Sequence, residues 1–131
     1  MLAAVLAASS PAAILTSPYL RCRQTVEPLA DRMGVVVQEV AWLGVEAAQA
    51  PGAVTAIGDH LRATAAGKGP VVLCTHGEVL AVALAAVLPP QIVDVALAHG
   101  APPPPGDKAG WWDLTWDGGT VQCARYAPPP C

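Results

Sequence analysis

The sequence predicts an α/β fold: a three-layer sandwich with parallel central strands and a C-terminal antiparallel hairpin. Three observations predict it. In Gly69 to Leu80, GPVVLCTHGEVL, an apolar β-branched run stops at a polar cluster and passes into a helical pattern. Ala12 to Arg21, AAILTSPYLR, repeats the order of strand, turn and helix. The alternating WWDLTWDGGTVQCARY folds back on itself at Asp117-Gly118-Gly119, the pattern of a hairpin with a glycine-rich turn. Strands that alternate with helices before a closing hairpin imply a parallel sheet covered by helices.

Taken in order, Leu2 to Ala8 has helical propensity and is ended by Ser9, Ser10 and Pro11. Ala12 to Thr16 is short and apolar, a buried strand. Ser17 and Pro18 then form an N-cap and first-turn pair that opens a helix running to Met33. Cys22, Val26, Leu29, Ala30 and Met33 recur at helical spacing and define its core face. Gly34 ends that helix, and Val35 to Gln38 is a further strand. Glu39 to Ala50 has no clean period and suits a loop or short helix over the carboxyl edge of the sheet. Pro51 opens a helix to Ala66. Val71 to Cys74 is apolar at every position, as in a strand covered on both faces. A helix from near Glu78 to Leu88 follows, then a short helix through Ile92, Val93 and Leu97. The loop His99 to Gly106 contains four consecutive prolines, which exclude regular structure. Residues 1–127 are read as one domain and residues 128–131 as a disordered tail.

Composition narrows the function. A chain of 131 residues is the size of one domain. Its net charge is −3, with seven basic residues scattered along it, so the basic patch of a nucleic-acid or membrane-surface binder is missing. The expected partner is small. Four cysteines without C-x-x-C spacing read as reduced cytosolic thiols, two of them, Cys22 and Cys74, inside apolar patterns. Neither a metal nor a cofactor is expected. The apolar N-terminus lacks a preceding Lys or Arg, unlike a signal peptide. Val71 to Leu88 carries His76 and Glu78, which are costly in hydrocarbon, so it reads as strand plus helix rather than a span. The expected location is the cytoplasm.

His76 falls at the carboxyl end of its strand, where ligands bind in open parallel sheets. Gly77 allows a sharp turn, and the N–H groups of the next helix would face the same point with the positive end of their dipole. The residues alone leave His76 open between a site and a turn histidine satisfied by backbone. Arg21 is similarly open. A cation in a first helical turn is disfavoured by about 0.3 to 1 kcal/mol, which something negative beside it would offset, yet Arg21 could also be a solvated residue, as could Arg23. His60 and His99 read as surface. If the two strand-turn-helix units are adjacent, Ser17, Arg21 and His76 share one crevice, and a phosphate would satisfy all three.

With these residues in place the sequence resembles the histidine phosphatase superfamily, of phosphoglycerate-mutase-like fold. ILTSPYLRCRQTVEPLA is similar to the family's S-P-x-x-R-x-x-Q-T strand and helix, VVLCTHGEV to the strand carrying its second active-site histidine, and KAGWWDLTWDGGTVQCARY to the closing strands of bacterial members. The wording is closest to members fused behind Nudix hydrolase domains. The resemblance implies that Arg21 and His76 hold the phosphoryl group and that Glu46 or Glu78, with Glu46 preferred, protonates the leaving oxygen. In the family a histidine in an Arg-His-Gly triplet is the nucleophile, and this sequence contains no such triplet. The resemblance therefore implies an N-terminally incomplete fold, lacking a first strand that would lie centrally beside the strands carrying Arg21 and His76. It implies a chain that is weak or inactive as given, whose full-length form hydrolyses phosphomonoesters. The alternatives are a non-catalytic phosphate-binding or interaction module and a fragment without function of its own. Exposed sheet edges would invite association.

Overall fold

The computed structural model describes residues 6–8, 10–101 and 110–128. Its elements are β1 (Ala13–Thr16), α1 (Leu20–Met33), β2 (Val37–Glu39), a 3₁₀ turn (Ala41–Leu43), α2 (Val45–Gln49), α3 (Ala53–Ala65), β3 (Val71–Cys74), α4 (Gly77–Val87), α5 (Pro90–Ala98), β4 (Trp111–Asp117) and β5 (Thr120–Ala127). The expected order of strands and helices is present. Leu6 and Ala7 are helical, while most of the segment expected to be the N-terminal helix lies outside the described residues. So do residues 102–109 of the proline-rich loop and 129–131 of the tail.

Among the described residues the strands form two sheets. In the first, the order is β2-β1-β3 and all pairs are parallel. Ile14 lies opposite Val37 on one side and Val72 on the other, and Thr16 lies opposite Glu39 and Cys74. The second sheet is the antiparallel β4-β5 hairpin, with Gly118 at φ 64° in its turn and a register shift between Thr115 and Trp116. The strand that leads to Arg21 is therefore central and paired on both edges. Of these two strands only β3, which leads to His76, lies at an edge of the sheet among the described residues, in contrast to the open edge expected beside both.

Period-two alternation sorts the core into two faces. Ile14, Val72 and Cys74 point to α1 and pack with Val26, Leu29 and Ala30. Leu73 points the other way, into a cluster built from Ile57 and Leu61 of α3, Val79, Ala83, Leu84 and Val87 of α4, and Val121 of β5. Helices thus cover both faces of the parallel sheet, which gives three layers. No single helix among the described residues is long and apolar enough to cross a membrane. The helices α4 and α5 would together have the composition, but they bend by 119° at the break between them.

Boundaries shift where local chemistry competes. The first long helix begins at Leu20 rather than Pro18, and its N-cap is Tyr19 in an extended conformation (φ −67°, ψ 138°) with no side-chain cap. The Ser17 hydroxyl that would have capped it is turned toward His76 instead. At the other end the expectation holds: Gly34 adopts φ 66°, and its N–H bonds the Ala30 carbonyl. The segment Glu39 to Ala50 holds the end of β2, the 3₁₀ turn and α2.

Ile14 has no exposed surface and sits in the central strand, whereas Val36 is 79% exposed. Ile14→Ala should lower unfolding stability by about 2 to 5 kcal/mol in a urea titration, and Val36→Ala by less than about 0.5 kcal/mol.

Candidate functional site

The site forms where β1 and β3 end side by side. The β1–β3 ladder continues one residue past the strands, through the Ser17 N–H donating to the Cys74 carbonyl at 2.9 Å. On the other edge of β1 the Val40 N–H donates to Thr16 O at 2.9 Å and brings the chain toward the 3₁₀ turn. Thr75 closes the rim, its hydroxyl donating to the Leu43 carbonyl at 2.6 Å.

Three of the sequence-predicted residues meet here. His76 is 6% exposed, and its Nε2 lies 2.8 Å from Ser17 Oγ. Its Nδ1 lies 3.3 Å from Arg21 Nη2. A guanidinium only donates, so the Nδ1 in this contact is the acceptor, and Nε2 carries the proton and donates to Ser17. Ser17 Oγ also accepts from the Tyr19 N–H at 3.3 Å, which fixes the hydroxyl from a second side. The Cys22 sulfur approaches Nε2 at 3.8 Å. Every ring nitrogen of His76 is thus engaged.

Sequence reasoning passed over Tyr19. Its ring stands edge-on to the His76 imidazole, with centroids 4.8 Å apart and planes at 73°, and the Arg21 guanidinium lies 5.9 Å from its centroid. Its hydroxyl donates to Glu46, so Glu46 reaches the site through Tyr19. Nothing in the local sequence marks this pair, because the two residues are 27 positions apart. Glu78 lies in the first turn of α4, exposed and next along the chain from Gly77. Arg23 pairs with Glu39 at 2.5 Å and with Glu27 at 3.7 Å. His60 is exposed, as expected, and stacks on Trp42 at 4.9 Å with planes 3° apart. His99 is exposed at the end of α5, with Nδ1 2.8 Å from the Val95 carbonyl. Neither joins the His76 site.

Burial lowers the His76 pKa, and the neighbouring Arg21 charge lowers it further, against smaller opposing pulls from Glu78 and Glu46. The Tyr19 hydrogen bond holds the Glu46 carboxyl below its usual range and pushes the Tyr19 phenol up. Burial next to Cys22 pushes the Cys74 thiol up to about 12, so it stays protonated and packs as a small hydrophobe. The arrangement is a neutral imidazole, a guanidinium without a carboxylate partner among the described residues, and the N-terminus of α4. Such a site can hold an oxyanion.

The chain is similar to known proteins in part of its sequence and in its fold. The model of the histidine phosphatase superfamily (branch 1) matches residues 1–44. Among solved structures the chain is similar to mycobacterial hydrolase 1 at 25% identity and a TM-score of 0.51, over 66% of this chain. It spans 63% of the length of that protein. It is also similar to mycobacterial glucosyl-3-phosphoglycerate phosphatase, in the native form at 19% identity and a TM-score of 0.57. For that enzyme's complex with inorganic phosphate the identity is 22% and the TM-score 0.58, and both comparisons cover 98% of this chain and 81% of the other. No curated protein matches the sequence. The match to the family model thus covers the first third of the chain, and the likeness in fold to these solved structures covers nearly all of it.

Two outcomes follow. Because the folded state disfavours a charged His76, the unfolded chain takes up a proton near pH 6.5 that the folded one refuses. Stability should therefore be fully present above about pH 6.5 and fall as pH drops below it. In urea titrations at matched pH, His76→Gln should flatten that slope. Ser17→Ala leaves the Nε2 proton without its acceptor and should cost about 1 to 3 kcal/mol at neutral pH, while an unchanged midpoint would show that the bond contributes nothing.

Proposed function

We propose that this chain carries the phosphoryl-binding part of a histidine-phosphatase site, and that its full-length form hydrolyses phosphomonoesters through a phosphohistidine. The observation that carries the reading is the convergence of Arg21 and His76, 55 residues apart in sequence and 3.3 Å apart in space, at the ends of two adjacent parallel strands.

In this reading Arg21 turns its guanidinium from His76 to the phosphoryl oxygens, and the N–H groups of the first turn of α4 face the same charge. An arriving anion offsets what keeps His76 neutral, so the imidazole takes up a proton and becomes a second donor. Ser17 holds the ring in register through Nε2. Glu46 is ionised and bound to Tyr19, a state suited to fixing Tyr19 rather than to giving up a proton. The proton for the leaving oxygen is then assigned to Glu78. Both nitrogens of His76 are engaged, which leaves it a binder rather than a nucleophile. The chain as given is accordingly expected to bind phosphate and not to turn over phosphomonoesters. The expected setting is the bacterial cytoplasm, and the free thiols of Cys22, Cys74 and Cys123 accord with a reducing compartment.

Inorganic phosphate should raise the melting temperature of the 131-residue chain, since a ligand at a hundred times Kd adds about 2.7 kcal/mol. Arg21→Ala should abolish the shift, and an equal shift in that variant would overturn the reading. With p-nitrophenyl phosphate no turnover above background is expected. Turnover abolished by His76→Ala would instead make His76 the nucleophile. The same titration followed by NMR should move the His76 ring signals to a higher pKa when phosphate binds.

A further inference from the structure

Tyr19 stands between two opposite charges of the crevice. The Arg21 guanidinium lies over its ring, 5.9 Å from the centroid, and the Glu46 carboxylate accepts from its hydroxyl at the tip of the same side chain. Both charges act on the phenol, Glu46 raising its pKa and Arg21 lowering it. Both act on His76 as well, in opposite directions. Among the described residues Arg21 and Glu46 nevertheless form no ion pair with each other.

The local structure holds this separation from both sides. The Tyr19 N–H donates to Ser17 Oγ at 3.3 Å and its ring packs edge-on against His76, which gives the side chain a fixed direction in the crevice. Glu46 lies in the first turn of α2, just past Gly44. A Cβ on Gly44 would stand 3.2 Å from Glu46 Oε2 and 3.8 Å from Pro18 Cδ, so the bare glycine lets α2 approach the Pro18-Tyr19 turn closely enough for carboxylate and phenol to meet. The carboxylate's other partner is its own backbone N–H. Freed from the phenol, it would keep only that local bond, with a guanidinium on the other side of the same tyrosine. Arg offers a fork of donors that fits a carboxylate as well as it fits a phosphate, so the released carboxylate would take the donors an anionic ligand needs.

On the reading of Arg21 as the phosphoryl-binding residue, we infer that Tyr19 is a positioning residue: it keeps Glu46 off Arg21, and so keeps the guanidinium free for an anion. Its hydroxyl supplies the hydrogen bond that the carboxylate would otherwise take from Arg21, and its ring fills the space between the two. An acidic side chain beside an oxyanion site is thereby held in a state in which it does not compete with the ligand.

The test is a double-mutant cycle on the whole chain, with the dissociation constant of inorganic phosphate read by calorimetry. Tyr19→Phe keeps the ring against His76 and removes only the hydroxyl. It should weaken phosphate binding by about three- to fivefold, as an exposed Arg–carboxylate pair forms in the free variant and lowers the fraction of molecules competent to bind. In the Glu46→Gln background the same substitution should change the constant by less than about twofold, since no carboxylate is released. A loss of equal size in both backgrounds would make the hydroxyl a purely structural group and overturn the inference, and so would an unchanged constant in Tyr19→Phe. A second readout needs no ligand. In phosphate-free protein Tyr19→Phe should shift the Arg21 side-chain NMR signals, and should leave them in place in the Glu46→Gln background. Arg21 signals that do not respond to Tyr19→Phe would overturn the inference. Failure of the unaltered chain to bind phosphate would instead overturn the reading of Arg21 as a phosphoryl ligand, and the NMR comparison would still decide whether Tyr19 holds Glu46 away from Arg21.

Discussion

The parallel pairing of β1 with β3 is the constraint on which the site depends. It aligns Thr16 with Cys74, and the extra rung from the Ser17 N–H to the Cys74 carbonyl carries the alignment one residue further. The next residues on each strand, Ser17 and then Thr75 and His76, leave the sheet at the same level. A shift of one residue would turn the side chains of β3 to the opposite face and take His76 away from Ser17. Burial of Ile14, Val72 and Cys74 against α1, and of Leu73 against α4, forbids that shift. Core packing on the sheet thus fixes the geometry of the polar crevice at its end.

The crevice in turn sets the charge of its members. His76 is held neutral by burial and by Arg21, and Glu46 is held ionised by Tyr19. The site thus combines an uncharged imidazole with an ionised Glu46 carboxylate. An anion entering next to Arg21 would reverse the balance at His76, so binding and protonation are linked at one imidazole. Tyr19 joins the two halves, touching His76 with its ring and Glu46 with its hydroxyl.

The apolar residues are distributed as if the strands formed one layer, since β3 and β4 both offer apolar side chains to the helices. Among the described residues the ladders form two groups, three strands and two. The helices α3 and α4 and the hairpin strand β5 share one core cluster, so side-chain packing holds the hairpin to the rest.

Much was legible in the sequence because it is local. The all-apolar Val71–Cys74, the positive-φ Gly34 and the Gly118 turn each state their conformation within a few residues, and the structure has them where expected. The α/β class and the meeting of Ser17, Arg21 and His76 followed from two similar strand-turn-helix units set at adjacent strand ends. What the sequence could not state is what depends on partners far along the chain. Ser17 has the signature of an N-cap, but His76, 59 residues away, takes its hydroxyl, and the helix starts at Leu20 instead. Tyr19 has no local signal for its ring contact with His76 or its hydrogen bond to Glu46. The placement of β1 in the middle of its sheet, between β2 and β3, also emerges only once the strands pair. Local propensity fixes a residue's own backbone, whereas a hydroxyl, a ring or a strand edge is settled by whichever neighbour the fold brings within hydrogen-bonding reach.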